Sequence, residues 1–223
     1  MRDTPELNPE VIIVGGGLAG MTAAKEAASQ GFPVVLVEQE PELGGHLQNL
    51  RRTVDGQDAQ AFLADLRNQV LTDPQIEVLT DSVVVGHSGY LGNYTTEVMS
   101  SAGAARTIEH GAVIVATGGK EARPEVFGLG SEQNVITQTE LERRIEDEPE
   151  SLKDAGTVLM IQCAGSRDEQ YLKYCSYICC MASLKQATYV RERYPDAKIY
   201  VFYIDLRAPG YRYEKFYQKI KED

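Results

Sequence analysis

The sequence predicts an α/β fold with one βαβ domain on a parallel sheet and a second, partial βαβ domain after it. Three observations carry this. Val11-Ile12-Ile13-Val14 runs straight into Gly15-Gly16-Gly17-Leu18-Ala19-Gly20, an alanine-rich stretch and the β-branched run Val34-Val35-Leu36-Val37. Val113-Ile114-Val115-Ala116 is continuously apolar, the pattern of a strand buried on both faces. Val158 to Ile161 and Ile199 to Ile204 read as strands flanking a long helical stretch.

Each element follows from local chemistry. Ala23, Ala24, Ala27 and Ala28 recur at helical spacing between Met21 and Gln30. Gly31 supplies a left-handed stop, and Pro33 prevents continuation. The next strand ends in Glu38, giving strand, helix and parallel strand with a right-handed crossover. From Gly56 to Leu71, Ala59, Phe62, Leu63, Leu66 and Val70 repeat with a period of 3.6, so a second helix is expected. Short strands are expected at Ile76 to Leu79, Ser82 to Gly86, Tyr94 to Met99 and Thr107 to Ile108, with turns at Gly89, Gly92 and Asn93. Gln138 to Glu150 is rich in acids and reads as a solvated helix leading into a linker. The domains are therefore expected to span 1–150 and 151–223. In the second, a helix is expected from about Tyr177 to Arg193 and a terminal helix from Tyr211 to Lys219.

The 223 residues are 43% apolar and 25% charged, a balance that supports a buried core and argues against global disorder. The net charge of −11 disfavours a nucleic-acid partner, because phosphate backbones need a basic face. No apolar run approaches the roughly 20 residues of a membrane helix, so direct membrane insertion is not expected. The stretch from Met1 to Glu6 lacks the apolar core of a signal peptide, and a cytoplasmic location is expected.

Gly15-x-Gly17-x-x-Gly20 follows a strand and opens a helix, the Rossmann-like arrangement for a dinucleotide. The first glycine permits the tight turn, the second lets backbone approach a pyrophosphate, and the third allows close helix–strand packing. Leu18 and Ala19 lie at the helix start, whose N–H groups face the phosphates. Glu38 is placed to accept hydrogen bonds from ribose hydroxyls, which favours a free 2′-hydroxyl. The segment Glu38, Gln39, then Gly44 and Gly45 resembles two-dinucleotide-domain flavoproteins, as does Ala116-Thr117-Gly118 after the apolar run. These two signatures favour FAD over NAD at this site. His46 follows the glycine pair and could lie near a flavin, although an exposed loop histidine is the blander reading. His87 and His110 have no partner motif and receive no role.

All four cysteines lie in one short stretch: Cys163, Cys175, Cys179 and Cys180. Cys163 falls at the carboxyl end of the first strand of the second domain, where open α/β sheets bind ligands. Cys175 and Cys179 would share a helix face, with Cys180 about 100° further round. The eleven-residue loop from Ala164 to Tyr174 can bring Cys163 back to them. Spacing alone leaves an iron–sulfur cube, redox-active thiols and zinc open. The second domain has no GxGxxG, so a nicotinamide cofactor has no evident phosphate cradle there.

With these motifs assembled, the sequence resembles the A-subunit family of heterodisulfide reductase, which includes the A-subunit of the quinone-interacting membrane-bound oxidoreductase. The resemblance rests on Val14 to Met21, Leu43 to His46, Gln162 to Arg167, Tyr174 to Cys180 and Tyr203 to Gly210. It implies a thioredoxin-reductase-like FAD core, with Gly15, Gly17, Gly20, Glu38, Gly45 and Gly118 lining the FAD site. It further implies that Cys163, Cys175, Cys179 and Cys180 ligate one [4Fe-4S] cluster, without the ferredoxin-type insertions of larger members. The expected function is a flavin- and iron–sulfur-dependent electron-transfer subunit, an oxidoreductase whose catalytic residues are unknown. Its partners would be other redox subunits of a heterodisulfide-reductase-like complex. Arg167, Lys173 and Lys185 are expected to offset the negative surroundings of the cluster. Two alternatives stand beside this reading: a thiol-disulfide or NAD-linked flavin oxidoreductase, and a non-catalytic scaffold subunit. In this architecture a later strand with a Gly-Asp motif completes the FAD domain, and that motif is not found here. The resemblance therefore implies a truncated chain or a short subunit completed by another, with an exposed apolar surface that favours self-association.

Overall fold

The computed structural model describes residues 7–210 and 212–222. The reading of Met1 to Glu6, and Tyr211 as the start of the terminal helix, fall outside these residues. Two compact units result: residues 7–48 with 58–120, and residues 49–57 with 121–222.

In the first unit, β1 (Val11–Val14), α1 (Leu18–Ser29) and β2 (Val34–Val37) form the expected βαβ crossover. α2 (Ala59–Thr72) leads to β3 (Ile76–Leu79). Asp58 caps α2, its side chain accepting from the N–H groups of Gln60 and Ala61. β4 (Ser82–Tyr90), β5 (Asn93–Ser100) and β6 (Ala105–His110) form an antiparallel meander, and β7 (Ala112–Val115) returns to the main sheet. That sheet is parallel, in the order β3-β2-β1-β7.

Its central strands are apolar because both faces are covered. α1 buries Gly20, Met21, Ala24 and Ala28. Ile12, Val35 and Val37 share a core cluster with Val98 and Ile108 of the meander. Each fully buried aliphatic side chain of this kind contributes about 1.5–3 kcal/mol. β7 corrects the sequence expectation. It pairs with β1, and among the described residues no strand lies on its other side, so Val115 is 73% exposed. A continuous apolar run shows that a strand prefers cover; it does not supply the cover.

In the second unit, α3 (Gln138–Asp147) opens with a capping box between Thr137 and Glu140. β8 (Thr157–Ile161), α4 (Cys179–Arg193) and β9 (Lys198–Phe202) form a parallel βαβ unit, and α5 (Tyr213–Glu222) follows. α3 is not the solvated helix its acidity suggests. Leu141 and Ile145 are one turn apart and pack with Met160, Ala187, Tyr189, Val190 and Ala197. Glu142 is buried as well, its Oε1 accepting from Lys185 Nζ at 2.8 Å and from Arg51 N–H at 3.1 Å. Lys185 also donates to the Arg52 carbonyl at 3.0 Å, so the segment Asn49–Gln57 is fastened to this unit. On the opposite face of the two-stranded sheet, Leu159, Ile161, Tyr200 and Phe202 are all exposed. Among the described residues, no helix is long and apolar enough to cross a membrane.

Candidate functional site

The glycine loop of the first unit is built for close approach. Gly15 takes φ +109°, a region glycine alone enters without strain, and its N–H bonds the Val37 carbonyl at 2.8 Å. A Cβ on Gly15 would run into the Ala116 carbonyl, and one on Gly20 into the Gly15 carbonyl. These are the contacts that hold β1, α1 and the Ala116-Thr117-Gly118 loop together. Gly17 faces comparatively open space; an added Cβ would meet only the Gly45 Cα, at 4.0 Å. It is the N-cap of α1 and no side chain caps it, so the helix start retains polarity for an anion. Leu18 and Ala19 are exposed beside it. Gly44 donates to the Gly16 carbonyl at 2.8 Å and bridges Gly17, which lays the Gly44-Gly45 pair directly on the glycine loop.

Glu38 is buried at the end of β2, and its carboxylate is fixed from two sides. Oε2 accepts from Gly16 N–H at 2.6 Å and Oε1 from Glu40 N–H at 2.8 Å. Each oxygen keeps a second lone pair for a ribose hydroxyl. Gly16 is the residue sequence reasoning missed. It occupies an "x" of the motif, yet a Cβ there would strike Leu43 and Glu38, so it sets where the acid sits. The spacing pattern gave no signal for it. Gln39, Thr117 and Gly118 lie on exposed loops of the same unit, His46 is exposed on the short 3-10 turn Gly45–Asn49, and none of them is drawn into this hydrogen-bonded knot.

The cysteines occupy the loop and helix start that follow β8. Cys163 has φ +59°, and Gly165, Arg167 and Tyr177 are also left-handed, so the segment turns repeatedly. Arg167 N–H and Ser166 Oγ both donate to the Tyr174 carbonyl, at 3.2 and 2.8 Å, and stitch the Cys163 end of the loop to the Cys175 end. Cys175 is not on the helix as expected. Left-handed Tyr177 interrupts any earlier start, α4 begins at Cys179, and Cys175 Sγ instead accepts from Tyr177 N–H at 3.4 Å. Burial pushes the Cys180 thiol pKa up, the hydrogen bond from Arg207 N–H acts against it, and neighbouring Cys179 and Cys163 add to the rise.

All four cysteines are free thiols. Among the described residues, no three His, Cys, Asp or Glu side chains are arranged to hold a metal ion. A single zinc with bonds of about 2.3 Å needs its sulfurs roughly 4 Å apart. An iron–sulfur cube spreads its thiolates over four corners, so a donor set of four free thiols fits that group in chemistry.

Two further side chains of the site had no assigned role from sequence. Asp205 Oδ2 accepts from Arg207 Nε at 2.9 Å, and its Oδ1 accepts from Arg167 Nη1. Arg167 first, and Arg207 second, hold the Asp205 carboxyl below the usual carboxylate range. The Arg207 guanidinium lies over the Tyr177 ring, 5.7 Å from its centroid. The Tyr203 to Gly210 stretch was legible as a motif; its proximity to the thiols was not. Lys185, expected beside them, is spent on Glu142 and the Arg52 carbonyl.

Comparison with known proteins places this geometry. Residues 9–155 match the family model "Pyridine nucleotide-disulphide oxidoreductase". The chain is 30% identical to one of the iron–sulfur A-subunits of CoB–CoM heterodisulfide reductase from Methanopyrus kandleri, over all of this chain and 48% of that protein. It is 28% identical to the corresponding A-subunit of Methanocaldococcus jannaschii, over 100% and 48%. A protein of Archaeoglobus profundus named for its likeness to the heterodisulfide reductase A-subunit is 25% identical, over 97% and 50%. The chain thus spans about half the length of these relatives. The first alignment runs to 320 positions against 223 residues here, so that relative carries segments with no counterpart in this chain. Among solved structures, L-proline dehydrogenase from P. horikoshii superposes with a TM-score of 0.54 at 17% identity, over 91% of this chain and 37% of that one, a likeness of fold.

Proposed function

This chain belongs to the pyridine nucleotide-disulphide oxidoreductase family, and from that premise we propose that it is a flavin- and iron–sulfur-dependent electron-transfer module of the heterodisulfide reductase A-subunit type. The observation that carries the reading is one chain holding both a glycine-loop cradle with a fixed acid and four thiols gathered in a single loop and helix start. In the first unit, Gly15, Gly17 and Gly20 bring backbone to the pyrophosphate of FAD, and the α1 N-terminus stabilises its charge. Glu38, oriented by Gly16 and Glu40, takes the ribose hydroxyls. In the second unit, Cys163, Cys175, Cys179 and Cys180 hold a [4Fe-4S] cluster, with Cys175 as the ligand just ahead of the helix start. When bound, FAD supplies two-electron chemistry and the cluster one-electron chemistry. Other redox subunits, like those implied by the names of its relatives, are its partners.

Anaerobic reconstitution with FAD, iron and sulfide tests the proposal. Stoichiometric flavin, with iron and acid-labile sulfide retained after desalting, is expected; protein that returns colourless and metal-free contradicts it. A second reading, thiol–disulfide exchange, is supported by all four cysteines being free thiols, with Cys179 and Cys180 adjacent at the helix start. Reversible loss of two thiols on oxidation, in protein that takes up no iron, would favour that reading.

A further inference from the structure

We infer that Arg167 and Arg207, clamped by Asp205, are charge-setting positioning residues for the cysteine site and raise the reduction potential of whatever cluster it holds. The inference rests on the reading that the four thiols carry an iron–sulfur centre.

The three residues come from distant parts of the second unit. Arg167 follows Cys163 in the turn after β8, whereas Asp205 and Arg207 lie in the loop after β9. Each Asp205 carboxylate oxygen holds one guanidinium, so both are fixed by a single anion. Two cations on one carboxylate leave a surplus charge of +1. A purely structural ion pair needs only one arginine. The surplus lies along the cysteine segment: Arg167 follows Cys163 by four residues in the same turn, and the Arg207 guanidinium lies over Tyr177, two residues beyond Cys175. Backbone holds these placements as well. Arg167 N–H is tied to Tyr174, next to Cys175, and Arg207 packs on Tyr177, whose own N–H bonds the Cys175 sulfur.

The physical consequence has a definite sign. Reduction adds an electron to a thiolate-bound centre that is already anionic. Positive charge nearby and hydrogen bonds to sulfur favour the reduced form. The chain as a whole, at net −11, pushes the other way, so a local surplus of cations is the means by which this site resists that field. The side chains of Arg167, Arg207 and Asp205 are 24, 35 and 48% exposed, so the effect is partly screened and weakens as salt is added.

The test is a redox titration followed by EPR on the reconstituted 223-residue chain. Arg167→Gln and Arg207→Gln should each shift the midpoint potential negative. Arg207→Lys keeps the charge and should stay near the parent. Asp205→Asn removes the anion, keeps the arginines, and should shift it positive. Opposite signs for the arginine and aspartate variants are what a merely structural triad cannot give. Unchanged potentials at full iron content, shifts of one sign in all three neutralised variants, or loss of the cluster in all of them would overturn the inference. If the parent itself takes up no iron, the reading beneath it fails instead, and the inference falls with it.

Discussion

Glu38→Gln isolates what the fixed acid does, because it preserves shape while changing hydrogen-bond logic. In the parent, both carboxylate oxygens accept a backbone N–H, from Gly16 at 2.6 Å and Glu40 at 2.8 Å, in a residue only 6% exposed. An amide offers one oxygen and one NH2. Whichever way it turns, one N–H keeps an acceptor and the other faces a donor. The remaining bond also loses its charge assistance. One buried donor left unsatisfied costs about 1–3 kcal/mol. For a chain of 150–250 residues each kcal/mol moves Tm by about 2–4 °C, so a fall of roughly 2–12 °C is expected in thermal unfolding. FAD affinity should fall in parallel, since the proposed function gives the ribose to the same carboxylate. Glu38→Leu, which strands both N–H groups, should cost more than Glu38→Gln. A glutamine variant as stable as the parent, or no different from leucine, would refute the reasoning.

Two further outcomes follow from buried groups elsewhere. Lys185→Met leaves Glu142 as an unpaired buried charge, 1% exposed at the side chain, and should destabilise the second unit by about 3–5 kcal/mol in urea unfolding. Adding Glu142→Leu to it should recover much of that loss, and a double variant worse than the single would contradict the pairing. His110 is fully buried, and its pKa is lowered from 6.5 chiefly by burial, with the Ala112 carbonyl opposing and His87 adding. A lowered histidine pKa means the unfolded chain takes up the proton first. The stability it contributes is intact above pH 6.5 and is lost as pH falls from there toward the native pKa. Denaturant midpoints measured between about pH 7.5 and 5.5 should decline in the parent and less steeply in His110→Gln.

The nucleotide-binding half was largely legible because its determinants are local. A β-branched run, glycines at fixed offsets and an acid closing the next strand each constrain backbone directly. What escaped depended on tertiary partners. Gly16 matters only because Glu38 and Leu43 come to rest against it. β7 reads as buried and is an edge among the described residues, since no local pattern reports which neighbour is present. α3 looks solvated because its acids outnumber the Leu141 and Ile145 stripe that packs, and because Glu142 finds a lysine 43 residues away. The Cys175–Cys179 spacing mimics a helix, yet Tyr177 at φ +61° breaks it. His87, Thr96 and His110 had no sequence motif, but antiparallel register sets His87 opposite Thr96. The hydroxyl then lies 2.9 Å from His87 Nδ1 and 2.7 Å from His110 Nε2.

Electron transfer by this chain depends on the sulfurs of the second unit closing around iron. EPR of the dithionite-reduced, anaerobically reconstituted chain measures this most directly. A signal that integrates to about one spin per chain, and disappears in Cys179→Ser and Cys180→Ser, is the expected result. A parent without that signal, or serine variants that retain it unchanged, would contradict it.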